Sequence, residues 1–168
     1  MIVYFALSIF PAALVVAAAN DLYEFKIPNW ISVVLVVAYP VAGLAAGASA
    51  GLLLEGVVVG AAALAVGFTL FCFNVIGGGD GKLLAATALW IGLSQIGWFL
   101  FYTSIAGLGL IIALLTFRSL PIFPFYARAP WVLQLYDRKK DVPYGVAIAG
   151  GGVVSFSQTP FFQLVFGG

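Results

Sequence analysis

Few residues in this chain can do chemistry, and two aspartates stand out among them. Residues 74–84 read Asn-Val-Ile-Gly-Gly-Gly-Asp-Gly-Lys-Leu-Leu, so three glycines run into Asp80 and Lys82 follows two places later. Strongly apolar sequence lies on both sides. An ionisable side chain at the end of an apolar membrane segment is costly, which makes it a functional-site candidate. Gly77, Gly78 and Gly79 put no side chains beside that carboxylate, so a second backbone can approach it. The plain structural alternative is a glycine-rich turn with Asp80 as N-cap of the following helix. The other acid, Asp21, closes the first apolar run and precedes Ile27-Pro28-Asn29. Taken alone, Asp21 reads more readily as a solvated loop carboxylate, a cap or a partner of Lys26.

Together the two acids have a chemistry. Two close carboxylates do not easily both ionise, so the pair holds one shared proton near neutral pH. One then acts as base on a water while its protonated partner polarises a peptide carbonyl. The roles reverse as the leaving amine takes a proton. Such aspartic-protease chemistry needs no imidazole, thiol or metal, and no cofactor is expected. Composition narrows the field in the same direction. The chain has no histidine and one cysteine, which excludes a disulfide framework, a Cys/His zinc site and any device needing imidazole. Cys72 lies in an apolar run and reads as a small buried hydrophobe. A Ser/Lys hydrolase built on Lys82 lacks a serine nearby in sequence. Lys82 is placed instead to pair with Asp80 or to meet lipid phosphate, and Glu24 and Lys26 read as surface charges.

These side chains must be positioned by membrane helices. Of 168 residues, 64% are hydrophobic and 8% charged, and the mean hydropathy is +1.16. That composition predicts an all-α polytopic membrane protein, residues 1–168 forming a single transmembrane domain. Residues 2–20 form a first span, with Pro11 as a tolerated kink. No basic stretch precedes it, which argues against a cleaved signal peptide. A short charged hinge over 21–29 carries Pro28 to start the next helix, and Trp30 suits a membrane interface. Further spans are expected over 30–47, 51–76, 82 to 93 or 95, 97 or 98 to 117, and from 142 to between 157 and 162. Gly43, Gly47 and Gly51 recur every four residues, as do Gly56 and Gly60, a spacing that lets helices pack closely in lipid. Glu55 is placed at the far interface. Residues 118–141 are the one long polar segment and are expected to lie along the membrane surface.

Six spans put the 21–29 hinge, the 76–82 turn and the 118–141 loop on one side. All seven Lys and Arg residues fall there. The positive-inside rule makes that face cytoplasmic and puts both termini outside. Dropping the fourth span would send the basic loop to the side opposite Lys26. The same topology brings Asp21 and Asp80 to one depth, where packing of the first and fourth spans would let them converge.

At these residues the chain resembles the type IV leader peptidase family of Gly-x-Gly-Asp membrane aspartic proteases, the prepilin peptidases. Asp21 with Ile27-Pro28-Asn29 resembles the first catalytic motif of the family. Residues 77–86 with Leu89-Trp90 resemble the second, and Val142-Pro143-Tyr144-Gly145 with Ala147 resembles the start of its last helix. The resemblance implies that Asp21 and Asp80 are the catalytic pair, with Gly77, Gly78, Gly79, Lys82, Pro28, Asn29 and Pro143 supporting them or binding substrate. It implies a prepilin-like precursor as partner, with a short basic leader and a hydrophobic helix, cut at the cytoplasmic edge of the plasma (inner) membrane. The lipid bilayer is the other partner, and no nucleic acid is expected. Glu24, Asp137 or Asp141 would then help attract the leader. Larger relatives carry a cysteine-paired cytoplasmic domain after the first helix and methylate the new N-terminus. Here the hinge is short and has no cysteine, so neither zinc nor methyltransferase activity is expected. This resembles the short branch serving tight-adherence (Flp-type) pili, with archaeal preflagellin peptidases close in size and motif. Presenilin-like and signal-peptide peptidases place the first aspartate in a Tyr-Asp pair, whereas Asn20 precedes Asp21 here.

Two readings of other classes compete. A small transporter or scaffold would use the aspartates to bind a proton or cation, at a site near the bilayer midplane. An inactive assembly partner would bind pilin helices without cutting them.

Overall fold

The computed structural model describes residues 2–121, 130–137 and 142–166. It is all-helical. The elements are α1 (Ile2–Glu24), α2 (Asn29–Ala45), α3 (Ala50–Cys72), α4 (Gly78–Ile91), α5 (Ile96–Ser119), α6 (Pro130–Asp137), α7 (Tyr144–Phe156) and α8 (Pro160–Phe166). Three stretches, Val3–Glu24, Ala50–Cys72 and Ile96–Ser119, are long and apolar enough to cross a bilayer. The others fall short: α2 has 17 residues, α4 has 14 and α7 has 13. At 1.5 Å per residue, α4 extends only about 21 Å.

That shortness fits where α4 lies. It packs against α3, α2 and α7, while α7 packs against α5, α1 and α4. These two short helices form the protein-lined centre, and α3 and α5 present most of their surface outward. The core joins Phe10 and Leu14 of α1, Leu35 and Tyr39 of α2, Trp90 of α4 and Phe156 of α7. Trp90 is buried and donates its indole N–H to the Leu35 carbonyl at 2.9 Å. A buried indole needs such a partner, and this one ties α4 to α2.

Glycines set how closely α3 meets α4. A Cβ on Gly60 would lie 3.0 Å from the Cβ of Leu89, and one on Gly67 would lie 3.1 Å from the Cα of Gly81. The Gly56/Gly60 spacing therefore marks a packing stripe as expected. The Gly43/Gly47/Gly51 series does not. Gly43 abuts Leu53 and Phe161, Gly47 has φ +73 in the turn after α2, and Gly51 faces open space but for Ser49. Four-residue spacing cannot distinguish a helix face from a turn that ends the helix.

Other expectations are corrected. The first helix runs past position 20 to Glu24, so Asp21 lies on a helix rather than in a hinge. The third ends at Cys72, and Cys72 is exposed rather than buried because it stands on the outward face of the last turn of α3. The last span divides into α7 and α8 around a turn at 157–159, since Pro160 cannot continue the hydrogen-bond ladder of α7. Glu55 serves the far end of α4: its carboxylate accepts the Leu93 N–H at 3.0 Å, beside Gly92 at φ +72. Of the 118–141 segment, α6 packs on α1 and α5, with Arg118 donating to the Leu135 carbonyl at 2.8 Å. Positions 122–129 and 138–141, including Arg128, Arg138, Lys139, Lys140 and Asp141, lie outside the described residues.

Candidate active site

Asp21 stands in the last turn of α1 and is 5% exposed. Its carbonyl accepts the N–H of Phe25 at 3.0 Å, and Phe25 at φ +54 ends the helix. The chain then runs through Ile27 to Pro28, whose extended backbone opens α2. Proline supplies a preset φ there without losing a needed donor.

Asp80 stands in the first turn of α4, with Gly77 as the N-cap. A carboxylate in a first turn complements the positive end of the helix. It also takes the backbone N–H of Gly77, which is half of a capping box. The capping alternative thus holds in modified form: Asp80 caps from the third helical position. The glycines before it are required by space. A Cβ on Gly77 would lie 2.7 Å from Asp80 Oδ2, and one on Gly79 would lie 3.3 Å from the Cβ of Ile27.

The two carboxylates share one polar cavity of about 430 Å³. It is lined by Asp21, Glu24, Phe25, Lys26, Ile27, Pro28, Asn29, Gly77, Gly78, Gly79 and Asp80. They are near enough for Asp21 to feel the charge of Asp80. The first and fourth helices meet directly, but over little of their length. The principal contacts of α1 and α4 run through α2 and α7, which both helices share, while the rings of Phe10 and Trp90 meet between them at 5.1 Å.

Asp21 is held from a third direction. The backbone N–H of Gly145, in the first turn of α7, donates to Asp21 Oδ2 at 2.6 Å. First-turn N–H groups have no partner within their own helix, so they are available to an anion. Gly145 leaves the room: a Cβ there would lie 2.7 Å from Ile27 Cδ1 and 2.8 Å from Asp21 Oδ2.

Most of the expected site residues therefore converge. Pro28, Asn29 and the three glycines line the acid cavity. Lys82 does not pair with Asp80; its Nζ donates to Asn29 Oδ1 at 2.8 Å, because two residues turn it about 200° around the helix from Asp80. Pro143 is buried and does not line the cavity; it is the N-cap of α7. The sequence names Gly145 only within the motif that starts the last helix and gives it no role, although Pro143 signals one: a proline at a helix start marks unpaired N–H groups just after it. Glu24 and Lys26 are exposed, as expected of surface charges, and also help line the cavity.

The family model described as the type IV leader peptidase family matches residues 8–112, which include both aspartates but stop short of α7. No curated protein and no solved structure shows significant similarity to the chain.

Proposed function

The chain belongs to the type IV leader peptidase family, and from that premise we propose that it is a membrane aspartic endopeptidase with Asp21 and Asp80 as its catalytic pair. The observation that carries this reading is their convergence on one polar cavity, from the last turn of α1 and the first turn of α4. At near-neutral pH the pair holds a single proton. The ionised member takes a proton from water as the oxygen attacks the peptide carbonyl. The protonated member donates to the carbonyl oxygen. Collapse of the tetrahedral adduct returns a proton to the leaving amine, leaving one carboxylic acid, one amine and the pair in its starting state.

The substrate we propose is a prepilin-like precursor, cut between a short basic leader and an apolar helix at the cytoplasmic edge of the inner membrane. Three long apolar helices support membrane insertion. The shorter α2, α4 and α7 complete a six-span arrangement with Lys26 and Lys82 on the cytoplasmic side and both termini outside. Both aspartates stand at helix ends, which favours an edge site over a midplane transport site.

Coexpression with such a precursor tests the reading by mass. Wild type should release the leader, and Asp21→Asn or Asp80→Asn should slow release by about 10²- to 10⁴-fold. Undiminished release in either variant would sink the mechanism.

A further inference from the structure

A second cavity adjoins the acid site. It is a lateral groove of about 880 Å³ between α2 and α3, floored by α4. Consecutive helices joined by a short turn normally pack along their length. Here α2 and α3 meet near their shared turn, where the Tyr39 hydroxyl donates to the carbonyls of Leu52 and Leu53 at 3.3 and 3.2 Å. Beyond it they diverge, and each packs on α4 instead. The result is a wedge that opens toward the acid cavity.

Its walls are exposed apolar side chains, Val33 and Val36 on one side and Leu54 and Val57 on the other. Its floor is α4, where Ala85 and Ala86 form a small middle between Lys82 at the open end and Leu89 at the other. It runs over positions 29–40 of α2 and 53–64 of α3, about three helical turns or ~16 Å. At the open end it is continuous with the acid cavity: Asn29 lines both, and the Lys82 that donates to Asn29 lines the groove.

We infer that this groove is the docking site for the apolar helix of the substrate polypeptide, resting on the peptidase reading above. Small floor residues admit a helix backbone closely, as helix pairs in lipid require. Valine and leucine walls grip its sides. A helix seated there presents its polar flank at Asn29, where the chain passes into the acid cavity as an extended segment. The groove thus measures the distance from helix end to scissile bond, and selects precursors whose apolar helix begins next to the cleavage site.

The test uses full-length protein in liposomes and two probes. The long probe has a basic leader, a glycine and an apolar helix of about 20 residues. The short probe ends just after the cleavage site. Ala61 also lines the α3 wall; Ala61→Trp there, and Val36→Trp on the α2 wall, should raise KM for the long probe about tenfold or more while leaving kcat nearly unchanged. Neither should alter cleavage of the short probe, and Ile112→Trp on α5 should alter neither probe. Independently of turnover, a photocrosslinking residue in place of Val57 in the Asp80→Asn background should capture the helix of the long probe. Equal effects on both probes, no effect on either, or crosslinks only to lipid or a second copy would overturn the groove. Capture of the helix by a wild type that shortens neither probe would keep the groove and discard the peptidase reading.

Discussion

The backbone N–H of Gly145 donates to Oδ2 of Asp21 at 2.6 Å, across 124 positions of sequence. This bond fixes the orientation of one acid relative to the other, because α7 also packs on α4, which carries Asp80. Gly145→Ala would put a Cβ 2.8 Å from Asp21 Oδ2 and 2.7 Å from Ile27 Cδ1. The carboxylate would have to turn. We expect kcat to fall about 10- to 100-fold with KM little changed, as for other sub-ångström displacements of a reacting group. Kinetics on membrane preparations of equal protein content check this; an unchanged kcat would remove Gly145 from the site.

The contact between Gly67 and Gly81 lies one residue past Asp80. Gly67→Leu must separate α3 from α4 there. The expected cost is about 1–3 kcal/mol of stability, together with a loss of cleavage as Asp80 shifts. Gly109→Ala is the control, since nothing lies within 4 Å of the added Cβ. Matching unfolding temperatures for the two variants would count against backbone contact at this point.

Lys82 offers a milder case. It is exposed and bonds to Asn29 rather than to either acid. Lys82→Met should therefore change kcat less than about fivefold, the scale of a surface polar contact. A loss as large as that of Asp80→Asn would mean that the lysine acts on the reaction itself.

How much of this was legible in the sequence differs from residue to residue. Asp80 was legible as a candidate only, because a glycine-rich turn with a capping aspartate has the same local sequence; the glycines do stand where side chains would collide. Asp21 was legible mainly through its neighbours, Ile27 to Asn29, which do line the same cavity. Helix-forming runs were legible from hydropathy, since burial in lipid leaves an uninterrupted apolar signature. Their ends were not: Asp21 looked like hinge and is helix, because a single polar residue does not break a helix whose backbone bonds continue to Phe25.

Composition and local pattern, then, determined that this is a helical membrane protein with two acids at helix ends, since solvation and backbone hydrogen bonding act residue by residue. Which groups meet was decided only by the tertiary structure. That α2 and α7 carry most of the packing between α1 and α4, that Gly145 holds Asp21, that Lys82 turns to Asn29, and that α2 and α3 part to leave a groove are all outcomes of packing. Packing depends on every helix at once, and no short window of sequence contains it.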